Sequence, residues 1–106
     1  MPLSYFGIFA SASYHLRMAK SIYSAEQELL QKLLIQARTR SGLTQTELAK
    51  KLKRPQSFVS KYESGERLLD VIELGQVCHA LGLTLSKFVD RFEKALKRQA
   101  GRDAKD

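Results

Sequence analysis

Gln56, Ser57, Ser60 and Lys61 are hydrogen-bonding side chains spaced to share one side of a helix, away from Val59 and Tyr62. Their chemistry is recognition, not bond making. A glutamine amide can form a bidentate pair with adenine, and a lysine can donate to guanine or to a phosphate. A solvated polar face on an ordinary helix has the same periodicity, so spacing alone leaves both readings open.

Nothing else in the chain points to catalysis. There is no nucleophile–base set, no carboxylate pair beside an apolar stretch and no glycine-rich phosphate loop. No catalytic residue is expected, and the chain is not expected to be an enzyme. His15, Cys78 and His79 do not have the spacing of metal ligands, so neither a metal nor a cofactor is expected. A single cysteine excludes an intrachain disulfide and suits a reducing compartment.

The elements that would position those side chains are legible as helices. Ser24 with Gln27 has the capping-box pattern, and Leu30, Leu33, Leu34 and Ala37 follow at helical spacing, so a first helix is expected over about 25–41, closed by Gly42. Thr44 with Glu47 is a second capping box and opens a helix over about 45–52, with Leu48, Ala49 and Leu52 inward. Lys53-Arg54-Pro55 breaks it, and Pro55 suits the first turn of a helix over about 55–63 that ends at Gly65. Asp70 with Glu73 opens a fourth helix over about 71–81, with Val71, Leu74, Cys78 and Leu81 as its stripe. Gly75 inside it is expected to mark a close-packing point. Thr84 caps a fifth helix, whose stripe is Leu85, Phe88, Val89, Phe92 and Leu96 and whose end is expected near Lys97. No strand pattern and no internal repeat occur.

The 106 residues therefore read as one all-α domain over 24–98. Residues 1–23 are expected to be a poorly ordered extension and 99–106 a flexible tail. Met18 is a candidate true start. No stretch approaches the ~18 apolar residues of a membrane span, and no basic region precedes the apolar opening, so neither a membrane nor secretion is expected. The net charge of +7 suggests an anionic partner but says nothing about fold.

The segment Gly42-Leu43-Thr44-Gln45-Thr46-Glu47-Leu48-Ala49, followed by Gln56-Ser57-Phe58-Val59-Ser60-Lys61-Tyr62-Glu63-Ser64-Gly65, resembles the Cro and phage-repressor type of helix-turn-helix, the Xre family. The likeness covers about residues 25–90, with the helix-turn-helix over about 44–65. It implies a compact five-helix, lambda-repressor-like domain that binds double-stranded DNA as a small transcriptional regulator, in the cytoplasm at the nucleoid. Gln56, Ser57 and Lys61 match its base-contacting positions, and Gln45 matches a phosphate clamp at a helix start. Thr44, Ser60, Lys53 and Arg54 are the further backbone candidates, although Lys53-Arg54 can equally be a solvated turn. Arg38 and Glu63 match an internal ion pair. Two departures stand out: Lys53 occupies a position where glycine is frequent, and Phe58 occupies a variable one, where packing is favoured over contact with a thymine methyl.

Relatives with this motif bind paired half-sites, so a homodimer is expected, with half-sites about one helical turn apart. Phe88, Val89, Phe92 and Leu96 are the expected two-fold interface. An alternative role is the antitoxin of a toxin–antitoxin pair, with residues 91–106 docking a toxin protein.

Overall fold

The computed structural model describes the backbone of residues 23–105 and the side chains of residues 25–102. The expectations for residues 1–22, including a start at Met18, lie outside the described residues. A π-type turn, Tyr23–Gln27, runs directly into α1, Glu28–Arg40. Then follow α2 (Gln45–Leu52), α3 (Gln56–Ser64), α4 (Val71–Ala80) and α5 (Leu85–Lys105). No strand occurs among the described residues, and the fold is all-α.

Local chemistry sets most of the boundaries. The Thr44 hydroxyl accepts from the Glu47 N–H at 3.1 Å, while the Glu47 carboxylate accepts from the Thr44 N–H at 2.8 Å. Asp70 and Glu73 repeat the reciprocal pattern at 2.7 and 3.1 Å. Each box satisfies two N–H groups that a helix start otherwise leaves bare. Gly65 ends α3 at φ 88°, a left-handed conformation in which a β-carbon is strained. It would also stand 3.0 Å from the Gln31 amide. Ser24 and Gln27 do not act as expected. A capping residue heads its helix with extended backbone, but the chain already coils at Tyr23, ahead of Ser24, and Gln27, directly before α1, is helical at φ −67°, ψ −39° and makes no side-chain cap bond. Pro55 lies one residue before α3, extended at φ −61°, ψ 152°, and leaves Lys53-Arg54-Pro55 as the whole turn.

One apolar core joins all five helices. Leu34 and Ala37 of α1 meet Leu48 and Ala49 of α2, Val59 and Tyr62 of α3, Val77 and Cys78 of α4 with Leu81 directly after it, and Phe88 of α5. Complete burial of Leu48 or Val59 stabilises the fold by about 2 kcal/mol each. Phe58 is buried as well, which decides its role as packing. Its ring meets Tyr62 edge-on, with centroids 5.5 Å apart.

Four expectations about the later helices are corrected. Val71 is exposed, and Val77 takes its place in the core; Val71 stands at the first position of α4, where no neighbouring helix covers it. Gly75 is not a close-packing point within the domain, since a β-carbon there would meet only Leu85, at an ordinary 3.9 Å. Helix α5 does not end near Lys97 but runs on through Gly101 to Lys105. Ala95 is buried and Gln99 half-buried, so the packed stripe outlasts the last large apolar residue. Phe88 is only 1% exposed, so it closes the domain's own core and offers no surface for a two-fold contact.

Candidate nucleic-acid interface

Helices α2 and α3 pack together around the Lys53-Arg54-Pro55 turn. Lys53 has the left-handed backbone (φ 57°, ψ 42°) that favours glycine. The turn is therefore wound as a glycine would wind it, at a cost of about 1 kcal/mol carried by a lysine. Two hydrogen bonds hold it: Lys53 N–H to the Lys50 carbonyl at 3.1 Å and Arg54 N–H to the Ala49 carbonyl at 3.0 Å. The result presents α3 with Gln56, Ser57 and Lys61 exposed and Ser60 half-buried beside them.

Behind this face lies a continuous polar line. The Arg38 guanidinium grips the Glu63 carboxylate through Nε at 2.7 Å and Nη2 at 3.1 Å, and its Nη1 donates to the Leu43 carbonyl at 2.9 Å. The two side chains are 13% and 5% exposed. The hydrogen bond to Glu63 raises the already high pKa of Arg38. Gln45 Nε2 donates to the same carboxylate at 2.9 Å, and Gln56 Nε2 donates to Gln45 Oε1 at 2.8 Å. Gln31 Nε2 closes the far end on the Glu63 carbonyl at 3.1 Å. A carboxylate that accepts from both an arginine and an amide has its lone pairs satisfied, which is what allows a charge to sit inside a small domain. Beside it, burial pushes the Tyr62 phenol above its ordinary pKa.

The line has four members, Arg38, Glu63, Gln45 and Gln56, drawn from three helices. The Arg38–Glu63 pair expected from the resemblance is present. The links through Gln45 were not legible in sequence, because Gln45 was assigned outward to a phosphate alone. A second polar cluster escaped the sequence entirely. Arg67 holds Glu73 in a bidentate grip at 3.0 and 2.7 Å, and the hydrogen bonds from Arg67 and from the Asp70 N–H lower the Glu73 pKa to about 2. Arg54 lies 3.6 Å from the same carboxylate. The guanidinium carbons of Arg54 and Arg67 stand 4.5 and 4.8 Å from the Phe58 ring centroid, so two arginines pack on that ring. Arg54 is thus tethered to the protein, whereas Lys53 stands exposed without an ion pair among the described residues. A spacing of six residues across a helix cap is not a pairing signal, which is why Arg67 and Glu73 were missed.

Of the four side chains expected at a two-fold interface, Phe88 is buried, Phe92 and Leu96 are half-buried and Val89 is 37% exposed. Among the described residues no group of three or more His, Cys, Asp or Glu is placed to hold a metal ion. No helix among them is long and apolar enough to cross a membrane.

Comparison with known proteins agrees with this geometry. A helix-turn-helix family model matches residues 34–88, slightly over half of the chain. The chain belongs to the XRE family of helix-turn-helix proteins. It is a DNA-binding transcription regulator of that family. A solved structure of an XRE-family-like protein from Pseudomonas syringae pv. tomato is 44% identical, with a TM-score of 0.67 over 74% of this chain and 95% of that one. The clp gene regulator ClgR from Corynebacterium glutamicum is 26% identical, with a TM-score of 0.64 over 74% of this chain and 84% of that one. Comparison with curated proteins gives no match.

Proposed function

We propose that this XRE-family chain binds double-stranded DNA sequence-specifically as a homodimer, with α3 in the major groove, and that it represses or controls transcription by occupying its operator. The observation that carries this reading is the line from Arg38 through Glu63 and Gln45 to Gln56. Base readout needs donors and acceptors whose orientation is set before DNA arrives, because ordering a long side chain during binding costs affinity. Gln56 spends one amide hydrogen on Gln45. Its carbonyl oxygen and second hydrogen remain, which are the acceptor and donor that adenine N6 and N7 require.

Ser57 and Lys61 extend the reading face toward neighbouring bases. Thr44, Gln45, Ser60 and Lys53 ring it as candidate phosphate contacts. The Gln45 and Thr46 N–H groups at the start of α2 favour an anion there. Arg54 is the weakest of these candidates, since Glu73 and Phe58 already engage it. The protein works in the cytoplasm, at the nucleoid.

Binding-site selection with purified protein, repeated with Gln56→Ala and Lys61→Ala, tests the reading. Loss of preference at one position per half-site, at a cost of about 1–3 kcal/mol, is the expected result. If two half-sites together neutralise about eight phosphates, log K falls against log salt with a slope near −7. Uniform weakening without any change in preference would remove base readout from α3.

A further inference from the structure

A basic pocket of about 270 Å³ lies in the seam between α1 and α5. Its exposed rim carries Arg40 of α1 and Arg91, Lys94 and Arg98 of α5, and no acid lines it. Leu33, Ala37 and Phe88 form its floor. The pocket faces away from α3. On α1, Gln31 and Arg38 reach Glu63. Leu33 and Arg40 each stand two residues further on, about 200° around the helix. A duplex seated on α3 leaves this seam open.

The pairing of the arginines is informative. Arg38, Arg54 and Arg67 each have a glutamate as ion-pair partner. Arg40, Arg91 and Arg98 meet no acid among the described residues. Lys94 has Asp90 at 3.1 Å, but both side chains are more than half exposed, and such a pair is weak. Along α5, Lys94 follows Arg91 at i+3 and Arg98 follows Lys94 at i+4, spacings at which like charges weaken a helix. Among the described residues only Asp90 offsets that repulsion. An anion held between the four cations would remove it.

We propose that this seam binds a small polyanion carrying at least two phosphate or carboxylate groups. Arg40, Arg91 and Arg98 donate to its oxygens through paired N–H groups, and Lys94 adds a fourth positive charge. Size favours a small ligand. The volume is that of about nine waters at ~30 Å³ each, room for two phosphate groups and far too little for a duplex. The floor argues against a docked peptide. Phe88 is 1% and Ala37 6% exposed, which leaves little apolar surface for a peptide's side chains. Recognition therefore rests on charge. The bound anion ties α5 to α1, the helix whose Arg38 holds Glu63.

Calorimetric titration and thermal melting of the full chain at pH 7, with inorganic pyrophosphate and with citrate, test the site. Sodium chloride at matched ionic strength is the reference. Saturable binding of one anion per chain is expected. At ten times the dissociation constant the thermal midpoint should rise by roughly 5–10 °C over the reference. Arg91→Gln/Arg98→Gln should weaken binding about tenfold or more. Its midpoint without anion should stay level or rise, because both side chains are exposed and like charges are removed. Lys53→Gln/Lys61→Gln, on the α3 side, should leave the affinity unchanged. Tighter binding of pyrophosphate assigns phosphate groups and tighter binding of citrate assigns carboxylates; either supports the site. A midpoint that follows ionic strength alone, with no saturable heat, overturns the inference. So does binding that survives Arg91→Gln/Arg98→Gln but is lost in Lys53→Gln/Lys61→Gln, which would put the anion on the α3 side.

Discussion

Replacing Glu63 by alanine tests the polar line at its centre. The substitution leaves Arg38 charged and 13% exposed, with the Leu43 carbonyl as its remaining partner, and it takes from Gln45 the acceptor at 2.9 Å. Two unit charges about 4 Å apart attract by about 4 kcal/mol at an effective dielectric near 20, before desolvation. Breaking one side of a buried pair costs about 3–5 kcal/mol, chiefly because the other charge is stranded. The remaining Leu43 bond and the partial exposure of Arg38 place the cost at the lower end, about 3 kcal/mol. For a domain of this size that lowers the thermal midpoint by roughly 12–24 °C. Urea denaturation at neutral pH reads it. The double variant Arg38→Met/Glu63→Leu, which removes both charges and keeps the volume, should recover much of the loss, because no charge is left stranded. In DNA binding, Glu63→Ala should blunt discrimination at the position read by Gln56, since Gln45 is no longer held. A loss below about 1 kcal/mol, or a double variant worse than Glu63→Ala alone, would refute the argument from burial.

Two further predictions concern the flanks of the same unit. Lys53→Gly should stabilise the domain by up to about 1 kcal/mol, because φ 57° is free for glycine, while Lys53→Ala should not; equal effects of both would mean that the left-handed turn stores no strain. The lowered Glu73 pKa makes stability depend on acid. Its contribution is complete above the ordinary glutamate range and is lost as pH falls from about 4.5 through about 2. Glu73→Gln should therefore be less stable than wild type at pH 7, with the gap closing by pH 2; a gap that persists at pH 2 would mean that the carboxylate's charge is not what Arg67 holds.

Sequence alone determined the elements where the deciding physics is local. The capping boxes at Thr44–Glu47 and Asp70–Glu73, the breaker Lys53-Arg54-Pro55 and the terminator Gly65 act within a few residues, and the helices begin and end within one or two positions of where those residues place them. The inward set Leu34, Leu48, Val59 and Tyr62 followed from helical spacing for the same reason. Resemblance located the Arg38–Glu63 pair, 25 residues apart, which spacing could not have done.

Tertiary structure decided everything that depends on what a helix meets. Val71 and Cys78 point nearly the same way from α4, yet only Cys78 has neighbours to cover it. Phe88 and Val89 are adjacent on α5, yet one seals the core and the other faces out. Periodicity assigns a direction and says nothing of whether another element lies along it. The tie of Gln45 to both Glu63 and Gln56 and the grip of Arg67 on Glu73 arise between segments distant in the chain or turned across a cap. Local sequence specifies the helices that carry Gln56, Ser57 and Lys61. Packing between helices decides that Gln56 is held by Gln45 and that Val71 and Ile72 of α4 stay exposed.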